Sequence, residues 1–137
     1  MPGERLLIIE DDKKIADLVR RVATEMEFAT NQATGKQLKE TYDTLAPEII
    51  VMDILMPEMD GLEVLRFIEE RKLQPRIIIL SGSPNAYRKM AQNLGTAFGF
   101  PIDANIQKPF RIGELRSALE KSRKELAASR PSGEASA

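Results

Sequence analysis

The chain of 137 residues contains no cysteine and no histidine. Without cysteine it can form no disulfide framework, no zinc-thiolate site and no thiol nucleophile. Without histidine it has neither an imidazole general base nor an imidazole metal ligand of its own. Charge of one sign is also scarce. The 20 Lys and Arg and 21 Asp and Glu are spread along the chain, which leaves no electrostatic footprint for nucleic acid. Long apolar runs are missing: stretches such as Ile77 to Leu80 are far too short to span a bilayer, and the opening MPGERLL has no signal-peptide apolar core. These absences predict a soluble cytoplasmic protein that touches neither nucleic acid nor membrane directly.

What is present suffices for one domain, since a chain of this length buries roughly two thirds of its unfolded surface without a disulfide or metal staple. Leu6 to Ile9 is an apolar run ending abruptly in Glu10-Asp11-Asp12, and Ile49 to Met52 is a second such run ending in Asp53. Both have the length and β-branched content of strands buried on two faces. Phe28 to Ala33, Ile77 to Leu80 and Ile102 to Gln107 are the other predicted strands. Between them lie helical stripes. Ile15, Leu18, Val19, Val22, Ala23 and Met26 follow Asp12 as cap; Leu38, Tyr42 and Leu45 follow Thr34-Gly35. Leu62, Leu65 and Ile68 mark a third helix to about Lys72, Ala86, Met90 and Leu94 a fourth stopped by Gly95, and Ile112, Leu115, Leu119 and Leu126 a last one. Five strand-helix alternations with right-handed crossovers predict an α/β, flavodoxin-like (βα)5 doubly wound parallel sheet of order 2-1-3-4-5. Residues 1–126 form this domain, and the small, polar AASRPSGEASA of 127–137 reads as a disordered tail or linker.

In such a sheet the carboxyl ends of strands one, three, four and five bring Glu10, Asp11, Asp53, Ser81 and Lys108 to one edge, where ligands bind. Taken singly, each has a plainer reading. Asp53 and the Glu10-Asp11-Asp12 run serve as caps of turns or helices, Ser81 as a turn hydroxyl and Lys108 as a solvated charge. The combination carries the argument. Two carboxylates about 4 Å apart repel by roughly 4 kcal/mol at an effective dielectric of 20, so three in one pocket call for a cation. An all-oxygen site suits Mg2+, which takes its remaining ligands from water and phosphate. With no Cys or His, Asp53 is the best-placed nucleophile, able to accept a phosphoryl group as an acyl phosphate, with Lys108 and Ser81 contacting the transferred oxygens.

These residues are similar to a known pattern. Over roughly residues 5 to 122 the chain resembles the receiver domain of bacterial two-component response regulators: the acidic pair corresponds to Glu10 and Asp11, the phosphoacceptor to Asp53 in DILMPEMDG, the hydroxyl switch to Ser81 and the Lys-Pro to Lys108-Pro109. The resemblance implies Asp11, Asp53 and the carbonyl of Leu55 as Mg2+ ligands, Glu10 acting through water, and a cis peptide before Pro109. It implies a histidine kinase or phosphotransfer protein as phosphoryl donor, since the donor histidine belongs to the partner. It also implies self-assisted transfer and hydrolysis rather than a dedicated enzyme, and an output partner that reads the face of the fourth helix, fifth strand and last helix. Homodimerisation through that face or the last helix is left open.

Two features depart from the pattern. Asn105 stands three positions before Lys108, where the family often has Tyr or Phe, and the segment from Gly95 to Lys108 is several residues longer than usual. The longer segment is similar to receivers attached to cyclic-di-GMP phosphodiesterase domains, although no such domain is present here. Two other functions stand beside the switch. One is an interaction module of the same fold that ignores phosphorylation. The other is a Mg2+-dependent aspartyl-phosphate phosphatase, disfavoured because Leu55 stands where such an enzyme needs a second carboxylate.

Overall fold

Leu, Ile and Val dominate three runs that become the centre of the molecule: β1 (Arg5–Ile9), β3 (Ile49–Asp53) and β4 (Arg76–Ser81). In the computed structural model, which describes residues 3–54, 61–71, 75–82 and 102–129, these strands are flanked by β2 (Ala29–Gln32) and β5 (Ile102–Gln107). All neighbours pair in parallel, in the order β2-β1-β3-β4-β5. That is the predicted sheet. Near-continuous apolar sequence is the mark of strands covered on both faces, and alternate residues feed two separate cores.

Leu7, Ile9, Ile50, Met52, Ile77 and Ile79 pack beneath α2 (Gly35–Leu45) and α3 (Gly61–Glu70). Leu6, Ile8, Ile49, Val51, Ile78 and Leu80 pack on the opposite face beneath α1 (Lys13–Glu25) and the last helix (Ile112–Ser129). Each helix begins as its sequence dictates. The Asp12 side chain accepts hydrogen bonds from the N–H groups of Lys14 and Ile15 at 3.0 and 3.3 Å, capping α1. Thr34 and Gln37 form a reciprocal capping box at the start of α2.

Several boundaries differ from the sequence reading. Phe28 lies outside β2, which starts at Ala29. Ser81 is the last residue of β4, fully buried, and not part of a loop, because the ladder with β5 continues through the Ser81–Gln107 pair. Ile112 is 46% exposed: as the first residue of its helix it precedes the turn that reaches the sheet. That helix also runs through Ala127, Ala128 and Ser129 instead of giving way to a tail at Ala127. Alanine has the highest helix propensity, and the Ser129 hydroxyl donates to the Leu126 carbonyl at 2.9 Å. The predicted fourth helix, with Ala86, Met90 and Leu94, lies outside the described residues.

The ladder between β4 and β5 contains an irregularity. Ile77 pairs with Ile102 but Ile78 pairs with Ala104, so Asp103 is an extra residue. Ile102 packs toward the α2–α3 core and Ala104 toward the other. Asp103 reaches Ser122 of the last helix, so two consecutive residues, Asp103 and Ala104, turn to the same face.

Candidate functional site

Parallel strands end together, so residues distant in sequence meet at the carboxyl edge. Glu10 follows β1 and Asp53 closes β3, and each retains only 7% of its exposure. Asp11 is exposed beside them. One carboxylate oxygen from each of Glu10, Asp11 and Asp53 lies within 4.8 Å of the others. Such a set of hard oxygen donors fits a divalent cation of the Mg2+ type.

Lys108, just beyond β5, closes the group. Its ammonium lies 2.7 Å from Glu10 Oε1 and 3.1 Å from Asp53 Oδ2. Its backbone N–H donates to the Ser81 carbonyl at 2.9 Å, which ties the residue to the end of β4, and the Lys108–Pro109 peptide is cis. Glu10 is oriented from its other oxygen, which accepts from the Asp12 N–H at 3.0 Å. Asp12 therefore serves the site as well as α1, a role that its reading as a cap alone does not contain.

The electrostatics follow from this crowding. Burial, with hydrogen bonds from Lys108 and the Asp12 N–H opposing it and the Asp53 charge reinforcing it, pushes the Glu10 carboxyl above its usual value. Burial alone would lower the Lys108 ammonium, but hydrogen bonds to Glu10 and Asp53 and their charges override it and hold Lys108 above its ordinary value.

Of the residues singled out from sequence, Glu10, Asp11, Asp53 and Lys108 are thus brought into one cluster. Ser81 is buried one residue past the Asp53–Leu80 pair. Leu55 lies outside the described residues. Asn105 sits in β5, with its Oδ1 buried and without a hydrogen-bond partner among the described residues. Sequence reasoning gave no role to Asp103, which is held by Arg76 and Ser122. Its signal was an acidic residue inside the strand IDANIQ. Among the described residues, no helix is long and apolar enough to cross a membrane.

The response regulator receiver domain model matches residues 6–120. The chemotaxis protein CheY of Listeria monocytogenes is 30% identical over 129 residues, covering 88% of this chain and 98% of that protein. The probable C4-dicarboxylate response regulator DctR of Bacillus subtilis is 28% identical over 122 residues, covering 85% of this chain. The chain spans 51% of DctR, about half its length. Among solved structures, the signal receiver domain of a response regulator from Bermanella marisrubri superposes with a TM-score of 0.72 at 26% identity, covering 88% of this chain and 98% of that one.

Proposed function

Since this chain belongs to the response regulator receiver domain family and is therefore a phosphorylation-controlled signalling domain, we propose that Asp53 is its phosphoacceptor and that Glu10, Asp11, Ser81 and Lys108 serve that residue. The observation that carries the assignment is the convergence of three carboxylates at the sheet's edge, two of them paired with one ammonium. Asp53 supplies the nucleophilic oxygen. Lys108, already paired with Asp53, is positioned to follow the charge as it passes from the carboxylate to the phosphoryl oxygens. Ser81 offers its hydroxyl from the neighbouring strand end.

Glu10, Asp11 and Asp53 are the residues that would hold Mg2+, with the Leu55 carbonyl as the further ligand the family pattern supplies. When bound, the ion offsets negative charge on the phosphoryl group. The donor in this reading is a histidine on a kinase or phosphotransfer protein, which supplies the imidazole that the chain lacks. The chain assists transfer and hydrolysis without being a dedicated enzyme, works in the cytoplasm, and signals through a protein that reads the face containing β5 and the last helix. The enlarged segment from Gly95 to Lys108 suggests a cyclic-di-GMP-related output protein as the first one to try.

Intact-mass spectrometry after incubation with Mg2+ and acetyl phosphate tests the assignment. A single base-labile phosphate adduct, absent from Asp53→Asn, is expected. No adduct with acetyl phosphate or with candidate kinases would leave a phosphorylation-independent interaction module of the same fold as the better reading.

A further inference from the structure

Among the described residues β5 is an edge strand with a single neighbour, so its ladder hydrogen bonds come from β4 on one side. Its side chains add little apolar anchorage: Asp103 and Ile106 are the buried residues of the strand. A strand with so weak an apolar pattern is prone to slip, and a slip of one residue moves every later side chain about 3.3 Å along the strand and turns it to the opposite face. Lys108 lies immediately after this strand. Its contacts with Glu10 and Asp53 therefore depend on where β5 is held.

The holding is done at the extra residue. The Asp103 side chain is 2% exposed, and its two oxygens accept from Arg76 at 3.0 and 2.5 Å in a two-pronged pair. The Ser122 hydroxyl, fully buried in the last helix, donates to the same carboxylate at 2.6 Å. Lys121 donates to the Asp103 backbone carbonyl at 3.0 Å, and Glu125 faces Arg76 at 3.6 Å. Two elements, β4 and the last helix, thus grip the carboxylate that β5 carries at the point where the ladder shifts. In the alternative pairing, with Asp103 opposite Ile78 and no extra residue, Ala104 and Ile106 turn away from the core they fill.

We propose that Asp103, gripped by Arg76 and Ser122, is a positioning residue for the phosphoacceptor site: it fixes the register of β5 and through it the place of Lys108 against Asp53 and Glu10. The proposal rests on the reading of Asp53 given above, and its test separates the two. In the full chain, Asp103→Ala is expected to slow phosphoryl uptake from acetyl phosphate about tenfold to a hundredfold. Its Mg2+ affinity by calorimetry should stay at the wild-type level or rise, because the carboxylates follow β1 and close β3 and lose only a competing positive charge. Hydrogen exchange should quicken at the amides of Ala104 to Lys108 while those of β1 and β3 stay protected. General destabilisation would instead weaken Mg2+ binding and protection throughout.

Ser122→Ala removes one of the three side-chain bonds and should shift the same readouts in the same direction by less; it decides the matter if Asp103→Ala does not fold. Wild-type uptake and wild-type exchange in folded variants would overturn the proposal, as would losses shared equally by Mg2+ binding and all strands. Should the wild-type chain take up no phosphate at all, the reading of Asp53 fails, and the exchange pattern alone decides whether Asp103 holds β5.

Discussion

Replacing Lys108 by methionine keeps most of the side-chain volume and removes the ammonium from between Glu10 and Asp53. At an effective dielectric of 20, the contacts at 2.7 and 3.1 Å are each worth about 5–6 kcal/mol before desolvation is counted. Carboxylates at the 4.8 Å limit of the cluster repel by about 3.5 kcal/mol on the same scale. Desolvation of the ammonium offsets much of the attraction, and breaking one side of such a pair costs roughly 3–5 kcal/mol in net terms. Lys108→Met should therefore be less stable than the wild type by about that amount in the absence of divalent ions. Millimolar Mg2+ should narrow the gap, because the variant offers the same oxygens without a competing positive charge, and every tenfold gain in affinity adds about 1.4 kcal/mol of stabilisation. Urea unfolding followed by far-UV circular dichroism, with and without Mg2+, measures both effects in a chain that has no tryptophan. A variant as stable as wild type without the ion, or equal stabilisation of the two by Mg2+, would refute the view that Lys108 compensates the carboxylates.

Two further outcomes are expected. The Tyr42 hydroxyl is buried without a partner among the described residues while its ring packs edge-on against Phe67 at 5.5 Å; Tyr42→Phe keeps the ring and should raise stability by about 1 kcal/mol, read as a higher urea midpoint with an unchanged slope. At Asp103, burial alone would raise the carboxyl, but hydrogen bonds from Arg76 and Ser122 and the charges of Arg76 and Lys121 outweigh it and hold the folded value below the ordinary one. The resulting stability is present above the unfolded-state value and is lost as pH falls through the folded value. Asp103→Asn should accordingly cost roughly 3–5 kcal/mol at neutral pH, and the difference from wild type should shrink below about pH 4 in acid-unfolding curves.

The fold was legible because β1, β3 and β4 lie inside two cores and therefore carry unbroken apolar runs, as at Ile77 to Leu80. β2 was harder to delimit, since its burial is partial and its ATNQ sequence has no apolar alternation. The predicted fourth strand stops at Leu80, one residue short, because Gly82, Ser83 and Pro84 come just after Ser81, whereas the ladder to β5 sets where the strand ends. The end of the last helix was misjudged for a related reason. AASR reads as small and polar, and only the alanine propensity and the Ser129 bond to Leu126 carry the helix onward.

The site was legible from a different signal, an acidic residue at the end of an apolar run, while another, an acidic residue inside a strand, was present but unread at Asp103. What separates the two carboxylates is the charge around them. Asp103 faces Arg76 and Lys121, with Glu125 more exposed at the margin, so its surroundings neutralise it without a further ion. Glu10 and Asp53 share Lys108 and Asp11 lies beside them, so that among the described residues three carboxylates with one ammonium leave an excess of negative charge at the sheet's edge. A neutralised carboxylate holds structure in place; an unneutralised set attracts a cation and, through it, an anionic phosphoryl group. Sequence could not make that distinction, because Arg76 and Ser122 lie 27 and 19 residues from Asp103 and reach it only once β4, β5 and the last helix have come together.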